Sequence, residues 1–277
     1  MNVNRDVLTD NGWWIGHNDS GVSDKSMIVL KFEDLKNKPI AVLFNYGVQS
    51  SVMDGVQGSD GSKMVSSDLG GYASNYVEQK YGNGVVAIFG IGAAGDQAPN
   101  EVAKNKFTDE NGILKSNATY ENAYELVKKQ GEVLGNSVIS ASDETKQQST
   151  VGTLSTDSST IKLPGQERSH DLTPQKVYTY QSAEDQEEPV NVITLGDISL
   201  TGISPELSSQ IASSLKEQSP YKQTMVFTMV NGSAKYMPEK ESYDRITYES
   251  ISTSFARGSA ELMQEKILEM LNSMHEK

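Results

Sequence analysis

The chain has no cysteine and only three histidines, His17, His170 and His275, among its 277 residues. The first absence excludes disulfides, thiolate metal sites and thiol nucleophiles. The second leaves little imidazole for binding a metal or moving a proton. Basic residues are also in deficit: 24 Lys and Arg face 37 Asp and Glu, a net charge of −13. Such a surface repels phosphate backbones and anionic membranes, and no local basic patch overrides it, so nucleic acid is not an expected partner. No apolar run approaches the roughly 18 residues of a membrane span. The opening stretch MNVNRDVLTDNGWWIGHNDSG lacks the charged-then-apolar order of a signal peptide, though neither observation fixes the compartment.

What is present reads as alternating strands and helices. Met27–Phe32 and Ile40–Tyr46 are strand-like runs separated by the turn-rich EDLKNKP, which predicts a hairpin. The polar, Gly-rich passage that follows must lie on the surface or line a site. Asp68 then caps a helix whose Leu69, Tyr72, Ala73, Tyr76 and Val77 fall at helical spacing. Val85–Phe89 is apolar throughout, as a strand covered on both faces would be. A long helix is predicted over Glu121–Ser142, and an alternating strand over Thr150–Leu163. Residues 164–189, polar and acidic, read as a surface excursion. VNVITLGDISLTG reads as a hairpin about Gly196-Asp197. Ser204-Pro205-Glu206 reads as a helix start with Pro in its first turn. Met225–Val230 and Ser259–Asn272 are the last strand and helix. Together these predict one α/β domain over residues 1–277, a mixed β-sheet flanked by helices.

Gly90-Ile91-Gly92-Ala93-Ala94-Gly95 spells G-x-G-x-x-G directly after a strand. A dinucleotide fingerprint needs a helix beginning at the third glycine, with its N–H groups facing a pyrophosphate. Pro99 removes an N–H donor and biases Ala98 away from the α region, so that helix would break at its start. No acid lies on a second strand about 20 residues further on, where the chain reads TDENGILKSN. No nucleotide cofactor is expected. A glycine-rich turn remains, presenting Asp96, Gln97 and Asn100 at a strand's C-terminal end, where open α/β sheets bind ligands.

That turn, GAAGDQAPN, resembles the G-D-V-S-P-N loop of the neutral/alkaline, non-lysosomal ceramidases, zinc-dependent amidases that hydrolyse the N-acyl bond of ceramide. Other stretches fall in the same family order. VNRD is similar to its N-R-S-P, FNYGVQSSVM to its F-A-x-H-P-x-S-M, and MVSSDLGGYAS to its V-(N/S)-S-D-x-x-G-Y-A-S. GISPELSSQIASSLK resembles its P-x-E-x-T helix. NGSAKYMPEKESYDRITYESISTSFARGSAE resembles its Y-I-T-T-x-E-E-Y-x-x-x-x-Y-E-(A/G)-A-S-T block. The resemblance spans nearly the whole chain and implies a ceramidase-like hydrolase domain lacking the N-terminal part of the family fold. A truncated sheet would leave an open edge, so self-association or marginal stability is expected.

Carried over residue by residue, the resemblance implies Glu206 and Tyr236 as oxygen ligands of zinc. Gln49 stands where a family histidine would be, and an amide is a poor substitute for imidazole. The other family histidine belongs to a T-H-S-G-P-G motif upstream of the N-R-S-P-like start. Ala98 replaces the loop serine, so Tyr236 and Asp96 are left as catalytic candidates. Gln49, Ser50, Asp68, Gly95, Asn100 and Tyr243 are candidate binding residues for a small-molecule or lipid ligand. The implied centre is impaired or inactive in this chain alone. The alternative is a non-catalytic module that takes a lipid-like or glycan-like ligand in the same cleft. On residue chemistry alone Glu206 could be a first-turn helix carboxylate. Asp54, Asp60 and Asp68 could be turn and cap residues or ligands of a hard cation.

Overall fold

The computed structural model describes residues 1–58, 60–62, 65–103, 106–108, 114–116, 120–145 and 153–276. The first two strands, β1 (Asn2–Thr9) and β2 (Gly12–Asn18), form an antiparallel hairpin that the polar sequence did not announce. The predicted hairpin follows as β3 (Ile28–Glu33) and β4 (Pro39–Tyr46). Helix α1 (Asp68–Tyr81) leads to β5 (Val86–Ile91), which pairs parallel with β4. After the glycine turn comes a strand, β6 (Gln97–Pro99), antiparallel to β1. This is why the fingerprint fails: Pro99 ends an extended segment rather than opening a helix. A short antiparallel ladder, β7 (Lys106–Thr108) with β8 (Leu114–Ser116), precedes α2 (Tyr120–Glu144).

The second half is built on a long antiparallel pair, β9 (Leu154–Gln166) and β10 (Ser182–Leu195), continued by β11 (Ile198–Ile203). Strand β10 therefore absorbs 182–189, and the surface excursion narrows to 167–181. Most of the strand's acidic residues, Glu184, Asp185 and Glu187, are exposed along the far end of the hairpin, and so low an apolar content reads as loop. The first residues of the predicted strand, 150–152, lie outside the described residues. Two-residue β12 (Glu206–Leu207) precedes α3 (Ser209–Gln218). Strand β13 (Gln223–Phe227) joins β11 in parallel, and β14 (Tyr236–Met237) joins β12 in parallel. Three helices finish the chain: α4 (Lys240–Arg245), α5 (Tyr248–Ser252) and α6 (Ser259–His275).

Parallel and antiparallel pairs thus occur in the same sheets, with helices alongside, and the fold is mixed α/β. One core lies between β4–β5 and helices α1 and α2, around Val42, Phe44, Leu69, Val77, Val127 and Leu134. The other lies between the β9–β10–β11–β13 sheet and helices α3 and α6, around Leu163, Val192, Leu215, Met263 and Ile267. The two sheets meet where Phe227 packs on Gly90 and the Asn45 amide donates to the Val226 carbonyl at 2.9 Å. A Cβ at Gly90 would sit 2.0 Å from the Phe227 ring, so the first glycine of the motif serves sheet contact. Strand β5 is covered on one face only: Val86 and Ile88 are half exposed, against the expectation of a strand covered on both. No helix among the described residues is long and apolar enough to cross a membrane.

Candidate functional site

The loop between β5 and β6 runs beneath β12. The Gly95 N–H donates to the Leu207 carbonyl at 3.0 Å, and a Cβ on Gly95 would meet the Glu206 carbonyl oxygen at 2.6 Å. Glycine is required there by close backbone approach. Glu206 is not in a helix's first turn. Its N–H donates to the Lys235 carbonyl at 2.7 Å, and the β12–β14 register sets it directly beside Tyr236. The strand pairing overrides the helix-start signal of Pro205, delaying α3 to Ser209.

Glu206, Tyr236, Gln49 and Ser50, together with Ser51, line an open cleft of about 440 Å³ whose other wall is Phe89, Ile91 and Met229. Four of the candidate residues are therefore neighbours, although they lie far apart in sequence. Beneath them sits a residue that the motif comparison touched only as part of VNRD. Arg5 is 5% exposed; its Nε donates to Glu249 at 2.7 Å, and Nη1 donates to the Gln49 side-chain oxygen at 3.0 Å. The guanidinium lies 4.9 Å from the Tyr236 ring centre and 5.8 Å from that of Tyr248, within cation–π range. Burial disfavours its charge, but Glu249 and Tyr236 outweigh burial and hold its pKa above the usual value.

Gln49 then spends its amide N–H groups on the Ala94 carbonyl at 3.0 Å and on Glu206 Oε2 at 3.2 Å. Arg5 only donates and a carbonyl only accepts, so the amide has a single orientation. Burial raises the Glu206 pKa, an effect that Arg5 and Gln49 partly offset. Tyr236 is raised by burial too, against the pull of Arg5.

Asp96 lies one layer below and is buried. It accepts from the Ser209 N–H and hydroxyl, both at 2.8 Å, and from the Asn4 amide at 3.1 Å. Burial and the Glu239 carboxylate push its pKa up to about 6, despite those donors. Asp6, also buried, is pushed up by burial and by the adjoining Glu249 carboxylate. Arg245 pairs with Glu239 at 2.7 Å, comes within 3.5 Å of Asp6, and lies against the Trp13 ring. Trp14 meets Tyr248 edge-on at 5.3 Å, so the tandem tryptophans brace this charged floor.

The remaining candidates stand apart from the cleft lining. The Asp68 carboxylate accepts from the N–H groups of Val52, Met53 and Leu69, at 3.0, 2.8 and 2.6 Å, anchoring the polar loop. Asn100 caps the chain start, its N–H donating to the Met1 carbonyl at 2.8 Å. Tyr243 is buried, its hydroxyl donating to the Phe255 carbonyl at 2.7 Å. Ala98 sits in β6, opposite Val3. His17 lies in β2, with its ring 3.0 Å from Asp19. None of the three histidines lines the cleft.

The donor set does not suit zinc. The Gln49 oxygen is committed to Arg5, its nitrogen faces Glu206, and a guanidinium already supplies positive charge beside Tyr236. Zinc favours nitrogen and sulfur donors in a tetrahedral set. Among the described residues no group of three or more His, Cys, Asp or Glu could hold a metal ion.

Comparison with solved structures finds this frame elsewhere. A structure described as "Ceramidase complexed with C2" superposes with a TM-score of 0.73 at 14% identity, covering 93% of this chain and 49% of that one. The neutral ceramidase from Pseudomonas aeruginosa gives 0.69 at 16% identity, covering 92% and 47%. The fold is that of the neutral ceramidases. The chain spans about half the length of these ceramidase structures. No family model and no curated protein matches its sequence.

Proposed function

We propose that this chain presents a ceramidase-like cleft that binds an amphipathic, N-acyl-lipid-type ligand, with metal-dependent amide hydrolysis impaired in this chain alone. One observation carries the reading: the closed chain Arg5–Gln49–Glu206 stands opposite the apolar wall of Phe89, Ile91 and Met229. The polar floor is internally paired, with no imidazole to bind a metal or take a proton from an attacking water. The wall supplies the apolar area that a hydrocarbon chain would bury, in a cleft of ordinary ligand size.

The test is titration of the purified chain with a short-chain N-acylsphingosine, alongside a hydrolysis assay with and without added zinc. Saturable binding with no fatty-acid release in either condition is expected. Stoichiometric zinc with chelator-sensitive turnover would overturn the metal-free part of the reading, and absence of binding would overturn the ligand.

A further inference from the structure

We infer that the group recognised at the cleft floor is a protonated amine carried on an aliphatic chain. The inference rests on the reading above that the cleft takes an amphipathic lipid, and puts a free amine in place of the N-acyl amide as the preferred polar end. It follows from which charges around Glu206 are already spent.

Arg5 is ion-paired with Glu249 at 2.6 Å and bound to Gln49, and almost none of it is exposed. Arg245 is taken up by Glu239, at 2.7 Å, and by the Trp13 ring. Buried Arg5 and partly exposed Arg245 are therefore matched by a carboxylate each. Asp6 leans on Glu249 in a setting that favours its neutral form, and Asp96 is held by three neutral donors. Of the five carboxyl groups gathered here, Glu206 alone lines the open cleft, and among the described residues only Gln49 donates to it. Lys235, exposed and next to Tyr236, is close enough to influence Glu206, yet among the described residues it forms no ion pair with it.

A half-buried carboxylate with one oxygen unspent favours a partner that brings both positive charge and N–H donors. A fatty-acid carboxylate would meet repulsion from Glu206, offset among the described residues only by Lys235, whose ammonium stands in solvent where water screens it. A neutral amide can donate a single N–H and gains nothing from charge. An ammonium satisfies the open oxygen, and its alkyl chain has Phe89, Ile91 and Met229 to lie against. The chain's net charge of −13 also draws cations toward the surface before docking.

Calorimetric titration at neutral pH with n-decylamine, decanoate and N-decylacetamide, each below its micelle concentration, tests this. At least tenfold tighter binding of the amine than of decanoate is expected. Glu206→Gln should weaken the amine about tenfold and change the amide less than twofold. Glu265→Gln, an exposed site on α6, controls for general attraction to an acidic protein and should change neither. Decanoate equal to or tighter than the amine would overturn the inference, as would an amine indifferent to Glu206→Gln. Tightest binding of the amide would overturn the amine while leaving the lipid-cleft reading standing; failure of all three ligands would remove both. The three wild-type titrations decide the matter even should Glu206→Gln fail to fold.

Discussion

Arg5, Glu249 and Asp6 show how individual side chains set the chemistry of this floor. Removing Arg5 leaves Glu249 buried and unpaired, so Arg5→Ala should cost about 3–5 kcal/mol, read as a shift in the denaturation midpoint. Asp6→Asn should cost far less, because the amide reproduces a carboxyl that burial and Glu249 already hold toward its neutral form. The two variants separate a required charge from a tolerated one. The pH dependence follows with a definite sign. Asp6 and Asp96 have folded pKa values raised above the ordinary aspartate range, Asp96 to about 6. Their stabilisation is complete below that range and is lost as pH rises through the folded values. Melting curves of wild type minus Asp6→Asn should therefore show a relative loss of stability climbing from about pH 4 upward. Little of this network was legible in the sequence. Arg5 stood out only as part of a four-residue resemblance and Glu249 only inside a long family-like block, and nothing linked the two, because their partnership joins positions 244 residues apart. Periodicity carries no record of such a pairing. The meeting of Glu206, Tyr236 and Gln49 at one cleft was legible, because local motifs flanked each.

The elements that place the site are the shortest in the fold. Two-residue β12 and β14 align Glu206 with Tyr236, and the glycine turn under them fits only because Gly95 has no side chain. Gly95→Ala would drive a methyl into the Glu206 carbonyl oxygen. The expected cost is about 1–3 kcal/mol of strain, with weaker ligand binding than that of a surface Gly→Ala control, measured by titration and thermal melt together. A melt lowered without any change in affinity would show that β12 moves independently of the Glu206 side chain. Long periodic elements were readable in advance: α2, α6 and the β3–β4 hairpin fall within a few residues of expectation. The β1–β2 hairpin was not, since its Asn, Arg and Asp side chains are buried by hydrogen bonding rather than by apolarity. Nor was β12 readable, since Pro205 is equally at home before a helix and before an extended bridge.

At the scale of the molecule, the β3–β4–β5 sheet is covered by α1 and α2 on one face only. Register puts Ile28, Leu30, Phe32, Leu43, Val86 and Ile88 on the other, all partly exposed, with Ile88 at 52% and Val86 at 50%. Among the described residues strand β3 is also the last strand of its sheet, with no further strand paired along its outer edge beside that apolar face. A free edge beside an apolar face is a template for association. The net charge of −13 opposes it, through a repulsion that salt screens. Association should therefore strengthen with ionic strength, the reverse of an ion-pair interface. Sedimentation velocity at 0.05 and 0.5 M salt should show a larger associated fraction at the higher value. Ile88→Lys should suppress it at both while leaving the melting temperature nearly unchanged, because the side chain is half in water already. A monomer at both salt concentrations would show that charge repulsion and backbone twist protect the edge unaided. Association untouched by Ile88→Lys would place the contact on a different surface.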